Sequence, residues 1–387
     1  GNLQQFVGIT ESAPERDEAS KTISFHGLDF LSEIFNTELG TIIALQDVTT
    51  DEALEAIFDS YGLPPTSYTL AKGRNKIPFL FFDKDKNAGN AIREIMQAEL
   101  GNLWINEQGI IQMDPRLSAD QTPVMVFDES NVIDISSTDD DEIINTVKIV
   151  SDVREVQDFQ PVFSNARELG QEWVASSEAF IVGANSSRVY SVTLQDPCIS
   201  FNEPTQGIVT NDSWFTAVDS VGNTVSGVTI TGSVLNSNNI TLFFDNSNSY
   251  PIEIDQVEIW GEPAKVVNQI RYQASDPDSV EKYGVKPLEI NNNFFGTYDN
   301  CVSFARTILD AYSEQDPIIE MSVKGDYSLE LGDIIQVSAR LYEGEYKVTS
   351  IRNKINSYSA IKARRYIPKN WGIYDVSLYD DISVYAP

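Results

Sequence analysis

Cysteine and histidine are almost missing from this 387-residue chain, which holds Cys198, Cys301 and a single histidine, His26. The two cysteines lie far apart and neither sits in a CxxC spacing, so a disulfide framework and a Cys-rich zinc site are both excluded as expectations. One histidine leaves no His-x-x-x-His pair for a metal, and a Ser–His or Cys–His mechanism would rest on His26 alone. Its setting, Ser24-Phe25-His26-Gly27, reads more plainly as a half-buried strand end. Positive charge is also scarce: 27 Lys+Arg face 58 Asp+Glu, a net charge of −31 with a pI near 4.2. That balance argues against ordinary nucleic-acid binding, which needs basic surfaces that displace counterions from phosphate, and against docking on anionic membranes. No apolar run approaches ~18 residues, so no segment reads as a membrane-spanning helix. Neither a Gly-x-x-x-x-Gly-Lys-[Ser/Thr] loop nor a dinucleotide fingerprint occurs, and no cofactor or metal is expected. The leading Gly1, in place of Met, reads as a cloning scar, and no signal peptide is visible in this piece.

What is present suits large cores. Hydrophobic residues make up 41%, with 16 Tyr and 19 Phe, which speaks against global disorder. At ~150 residues per domain the length predicts two or three domains. The stretches 22–25 and 41–45 read as short strands around a short helix with Leu28, Leu31, Ile34 and Phe35 on one side. Thr49 and Glu52 then form a Thr-x-x-Glu capping box ahead of Leu54, Ile57, Phe58 and Tyr61, one apolar helical face closed by Gly62 and Pro64. Further on come a strand at 77–82, a helix at 87–100 ended by Gly101, a hairpin at 103–113 turning on Gly109, and strands at 124–127, 132–135 and 143–150.

Residues 163–264 differ. Asn, Ser, Thr, Gly and Val dominate, helical periodicity is absent, and β-prone runs at 179–182, 188–194, 228–231, 240–244 and 254–260 alternate with polar turns. This spacing predicts one antiparallel β-sandwich. Beyond it, 266–272 repeats the apolar-apolar-Asn-polar-apolar-basic-apolar pattern of 143–149, as two similar strands flanking an insertion would; a weak duplication and coincidence both remain open readings. A helix at about 299–314 is followed by strands at 318–323, 334–338, 345–351 and 358–365. The stretch 371–387, with Tyr374, Tyr379, Tyr385 and several Asp, reads as an extension.

In this order the motifs resemble the tail-tip hub proteins of long-tailed bacteriophages, also called minor structural or minor tail proteins. The 49–62 helix is similar to a helix of hub domains. "IDQVEIWGEP" (254–263) is similar to the last strand of the sandwich inserted in them. "YGVKPLEINNNFF" (283–295), leading through a helix to "LELGDIIQV" (329–337), is similar to the place where a hub barrel resumes. The likeness covers roughly residues 45–366 and departs at the N-terminus, where no full first barrel is evident. It implies an α+β, multi-domain fold: a hub-type β-barrel/α+β core interrupted by an antiparallel β-sandwich. The divisions expected are 1–46, N-terminal strands and short helix of the core; 47–150, an α+β hub subdomain; 163–264, the sandwich; 265–366, a barrel-like subdomain with one helix; and 367–387, an extension.

The resemblance also implies a structural rather than enzymatic role in a phage or prophage tail tip or baseplate hub. The chain would be a homotrimer joining the tail tube to distal-tail, receptor-binding, fibre or tip proteins. It would reside in the virion after assembly in the bacterial cytoplasm. The excess of acid adds an expectation of its own: if the trimer surrounds a channel for DNA, acidic walls would repel phosphate.

Individual residues offer rival readings. Asp139, Asp140, Asp141 and Glu142 would give a hard cation several carboxylates, but they lack EF-hand spacing and read more plainly as a solvated turn. Trp173, Trp214, Phe215 and Trp260 fall in the sandwich region, where core packing is the plainer role. Adjacent strand residues point to opposite faces, so Trp214 and Phe215 are the candidate ligand-facing aromatics for stacking on host-surface glycans. A carbohydrate-binding adhesin using the sandwich is therefore the alternative function. A hydrolase built on an acid pair is the third, with no pair distinguishable among so many acids. Lys354, Lys362, Arg364, Arg365 and Lys369 form a local basic cluster, expected to pair with acidic residues of this chain or of a neighbouring subunit rather than with nucleic acid.

Overall fold

The computed structural model describes residues 9–10, 15–17, 22–24, 27–39, 42, 44–83, 86–106, 108–115, 122–139, 143–164, 180–201, 209–210, 215–235, 237–314, 317–324, 329, 332–353 and 358–366. Strands dominate, and five α-helices are present among the described residues: α1 (Phe30–Phe35), α2 (Thr50–Ser60), α3 (Ala88–Glu99), α4 (Pro277–Tyr283) and α5 (Tyr298–Tyr312). The chain is thus α+β and multi-sheeted, as expected at that level.

The helices start where side chains satisfy the free N–H groups of their first turns. Thr49 caps α2 within a capping box, its own N–H donating to Glu52 Oε2 at 2.8 Å. Asn87 caps α3 by accepting from Asn90 N at 3.0 Å, and Thr297 caps α5 by accepting from Asn300 N at 3.2 Å. Helix α4 was not expected from periodicity, being too short to show any. Its signal is chemical: Asp276 accepts from Ser279 N at 3.0 Å, and Pro277 occupies the first turn, where no N–H is needed. The end of α3 also differs from expectation. Leu100, not Gly101, takes the left-handed conformation, at φ 58°. Gly101 is required for a close approach instead, since a Cβ there would lie 2.6 Å from Asp114 O.

Three apolar clusters organise these elements. The first joins α1, α2, α3 and the hairpin of Asn102–Ile105 with Ile111–Asp114 to α5 and the strand Pro287–Asn291, so it is assembled from two distant parts of the chain. Leu54, Ile57, Phe58, Ile92, Ile95, Phe295 and Phe304 are buried in it. Its central ladder pairs Thr146–Val156 antiparallel with the 24-residue strand Ile252–Ser275, and parallel with Pro287–Asn291. The two echoing motifs therefore lie on paired strands but in offset register, meeting only where Ile149 pairs with Tyr272. Val147 and Ile149 on one strand, and Ile270 and Tyr272 on the other, face the same core.

The second cluster lies in the inserted region, between two antiparallel groups of strands. One group is the sheet of Ser186–Thr193, Asn239–Asn246, Val228–Leu235 and Val209–Thr210. The other is formed by short strands paired along the first half of Ile252–Ser275. Phe163, Phe180, Leu242, Phe244, Val257 and Ile259 fill the space between. The expected β-prone runs all touch these strands.

The third cluster is the interior of a six-stranded sheet combining Met125–Asp128 and Val132–Asp139 with four strands between Pro317 and Tyr366. Alternate residues point inward, as in Ile319, Met321 and Val323, or Ile335, Val337 and Ala339. The two edge strands are consecutive in the chain, joined through Glu129–Asn131. Arg340 reaches across to Asp134 Oδ1 at 2.8 Å, so the sheet curls, although no ladder closes it among the described residues.

Candidate functional site

The place where separate parts of the chain meet with the most chemistry is the seam between the inserted sheets and the first core. Strand Lys76–Leu80 pairs with Leu45–Thr49 and runs on as Phe81-Phe82-Asp83 toward the insertion. There Ser237 Oγ donates to Phe82 O at 3.0 Å, and Asn238 Nδ2 donates to Asp83 Oδ1 at 2.6 Å. The same two residues hold the insertion's own turn, through Cys198 N to Ser237 O at 2.6 Å and Leu194 N to Asn238 O at 2.7 Å.

Arg154 fastens the seam from the ladder side. Its guanidinium lies 4.8 Å from the Phe81 ring centroid, donates to Ala264 O at 2.8 Å and stands 3.7 Å from Asp196. Ala44, Phe79 and Ala264 form a small apolar cluster beside it. Arg154 Nε and Asn238 Oδ1 are buried without a hydrogen-bond partner among the described residues. Asn75 Oδ1 and Trp104 Nε1, away from the seam, are the other two such atoms among the described residues.

An open cleft of about 260 Å³ borders this seam, with Phe82, Asp83, Lys86, Glu94 and Asn292 among its walls. Lys86 is paired with Glu94 at 2.6 Å, and Asn292 Nδ2 donates to Glu94 O at 2.8 Å. The described part of the cleft thus presents amides, one ion pair and an amide-bound carboxylate, with no nucleophile beside a base. Among the described residues no group of three or more His, Cys, Asp or Glu is arranged to hold a metal.

The first core contains a fully buried carboxylate that sequence reasoning missed. Glu99, at the end of α3, is 0% exposed. Its Oε2 accepts from Thr50 Oγ1 at 2.7 Å, Asn75 N at 2.8 Å and Arg74 N at 3.1 Å. The loop that delivers those N–H groups passes so close over α2 that a Cβ on Gly73 would lie 2.7 Å from Thr50 Cβ. Nearby, hydrogen bonds from Thr49 and from Gly73 N hold the Asp51 carboxyl below its ordinary pKa, against the opposing pull of burial. An acidic residue at a helix end carries no local sign of burial; only the Gly-Arg-Asn loop at 73–75 hints at a tight wrap.

The sequence-derived candidates scatter. Trp173, Trp214 and His26 lie outside the described residues, as do Asp140, Asp141, Glu142, Lys354 and Lys369. Phe215 begins the strand Phe215–Val218, opposite Val257; only its backbone is described. Trp260 is 36% exposed and stacks on Phe159, itself 47% exposed, with ring centroids 6.2 Å apart. Of the basic cluster, Lys362 pairs with Glu320 at 3.3 Å, while Arg364 donates to Ala311 O and lies 4.1 Å from the Tyr312 ring centroid. Cys198 and Cys301 are free and buried, and burial pushes their thiols up to about 12 and about 11 respectively.

No protein-family model matches the sequence, and no curated protein matches it. Solved structures do resemble the chain in layout. The 43 kDa tail protein of prophage MuSo2 from Shewanella oneidensis has 11% identity and a TM-score of 0.46, over 93% of this chain and 80% of that one. The prophage tail protein gp18 from Listeria monocytogenes EGD-e has 11% identity and a TM-score of 0.43, over 94% and 78%. The tail protein from Neisseria meningitidis MC58 has 8% identity and a TM-score of 0.49, over 93% and 80%. All three of these TM-scores lie below one half.

Proposed function

We propose that this chain is a structural component of a phage or prophage tail, acting at the tail tip or baseplate hub. The reading rests on the order of motifs at 49–62, 254–263, 283–295 and 329–337. The single structural observation that supports it is the shared strand. Ile252–Ser275 lies in the ladder of the first core and in the inserted sheets alike, so the two units are fixed to each other rather than hinged. A rigid multi-unit body suits assembly, where large surfaces must meet in register.

In this reading the chain forms a homotrimer that joins the tail tube to fibre or tip proteins, and it performs no catalysis. The inserted sheets are its β-sandwich, and the curled six-stranded sheet is its barrel-like part. Its acidic surface lines a DNA passage. Mass in solution together with electron-microscopic class averages tests this. A threefold ring with an acidic central hole is the expected result. A chain that stays monomeric both alone and when co-expressed with a tail-tube protein overturns it.

A second reading, a glycan-binding adhesin, is favoured by one observation: the exposed Phe159–Trp260 stack on the inserted region offers an aromatic face of the kind that packs on sugar C–H groups. Glycan-array binding by the full chain, lost in Trp260→Ala or in Trp214→Ala, would establish it. Unchanged binding in both variants, or no binding by the parent, removes it.

A further inference from the structure

The cleft at the seam has the size of a small binding site. Its volume of about 260 Å³ lies just below the roughly 300–1,000 Å³ of drug-sized sites, so it suits a ligand of about one sugar ring. It also lies where the inserted sheets meet the first core, and boundaries between packed units are preferred places for ligands.

Several polar groups on its walls have hydrogen-bonding capacity to spare. Asp83 is exposed; its Oδ1 accepts from Asn238 Nδ2 at 2.6 Å, and its Oδ2 accepts nothing among the described residues. Asn291 is exposed too, and its side-chain amide makes no hydrogen bond among the described residues. Asn293 Oδ1 accepts from Asp152 N at 3.0 Å, which leaves its Nδ2 as a donor. Behind Asp83, Asn238 is only 8% exposed, and its Oδ1 is buried without a partner among the described residues. A wall of this kind is costly to cover with anything that cannot hydrogen-bond.

Charge narrows the ligand class further. Lys86 and Glu94 neutralise each other at 2.6 Å. Asp83 is then the charge outside an ion pair among the described walls, so a phosphate or sulfate meets repulsion and no free cation. A lipid chain would strand the amides and the carboxylate without water. Hydroxyl groups suit both kinds of wall, because each can donate to Asp83 Oδ2 or accept from the Asn291 and Asn293 amides. Carboxylates and amides are planar and carry two polar atoms side by side, so each can engage two neighbouring hydroxyls of one ring. Half-buried Phe81 offers an apolar wall to the ring's C–H groups.

We infer that this cleft binds a neutral saccharide ring, held by Asp83, Asn291 and Asn293. The site is separate from the Phe159–Trp260 stack, and the inference uses neither the tail reading nor the adhesin reading.

Saturation-transfer NMR titrations on the full chain test it, with methyl glucoside, methyl galactoside, methyl mannoside and N-acetylglucosamine as probes. At least one should bind. Its affinity should fall at least about tenfold in Asp83→Ala, because the hydrogen bond lost is to a charged acceptor. It should fall by a smaller factor in Asn291→Ala and stay unchanged in Trp260→Ala. Asp83→Ala also removes the acceptor of Asn238 and can loosen the seam. Asn291→Ala removes no hydrogen bond within the described residues, so weaker binding there with an unchanged melting curve supports the site by itself. Binding by none of the four probes overturns the proposal, as does equal affinity in the parent and in both cleft variants. Binding lost in Trp260→Ala but kept in both cleft variants overturns it as well, and assigns the sugar to the aromatic stack. Tighter binding of butylammonium than of any sugar also overturns it, since the cleft would then be a site for cations.

Discussion

The first core and the six-stranded sheet both join distant segments, but they fix the join by different means. Only two of the sheet's five strand pairings are consecutive hairpins, and alternation tells each residue where to face; its interior is almost wholly apolar, with Phe127, Ile335, Val337 and Val348 at 1% exposure or less. The first core must bring residues 31–113 together with residues 288–309 across an intervening insertion. Its interior is correspondingly rich in buried polar side chains, including Thr50, Asn75, Glu99, Asn145 and Asn292. Apolar burial is non-directional, so it does not by itself choose one docking of distant segments over a slipped one. Directional bonds from fixed donors do. Asn145 shows the device: its Nδ2 donates to Gly284 O and its Oδ1 accepts from Lys286 N, each at 2.7 Å, pinning the start of the central ladder to the loop after α4.

The largest test of this contrast is Glu99→Ala. It leaves the N–H groups of Arg74 and Asn75 and the Thr50 hydroxyl facing each other without their acceptor, and should cost about 3–5 kcal/mol. Denaturant unfolding measures the loss, and hydrogen exchange locates it: protection in α3 should fall before protection in Pro317–Lys324. Equal loss in both regions would break the distinction between them. Asn145→Ala should cost about 2 kcal/mol, with the loss confined to the first core by the same measurement.

On the sheet side, Ile335→Val removes one methylene from a packed interior without orphaning any polar group. It should cost about 1 kcal/mol and leave exchange in α3 unchanged. The smallest expected effect concerns pH. Asp51 has its folded-state pKa lowered, so its contribution is present above the unfolded value of ~3.9 and is lost as pH falls through the lower folded value. The stability gap between the parent and Asp51→Asn should therefore shrink on going from pH 5 to pH 3. Because Asp51 is partly solvated, the gap is expected to stay below ~1 kcal/mol. A gap that widens on acidification would contradict the assignment of Thr49 and Gly73 as its stabilising donors.

The same contrast explains how much was legible in the sequence. Where structure follows from local chemistry, it could be read: the Thr49–Glu52 box placed α2, and the alternation at 334–338 placed a strand. Helix α4 was missed because its signal is capping chemistry, Asp276 with Pro277, rather than periodicity. Glu99 was missed because its burial is decided by a loop far away in the chain. Alternation likewise does not say which strands are neighbours. Nothing local reveals that Met125–Asp128 pairs in parallel with Ile334–Ala339, or that the six-stranded sheet joins residues near 130 to residues beyond 317. Of the candidate aromatics, only Trp260 has its side chain among the described residues. Trp214 lies outside the described residues, and the aromatic pair that is exposed, Phe159 with Trp260, involves a residue from the turn before the inserted strands, which carried no aromatic motif.

The long shared strand has a mechanical meaning as well. At ~3.3 Å per residue, its 24 residues follow a contour of about 80 Å. A pull on the inserted sheets along that line loads the ladder with Thr146–Val156 in shear, so its hydrogen bonds share the tension instead of opening one after another. The insertion is thus tethered by a tie-rod, and displacement at one end reaches the first core with little slack.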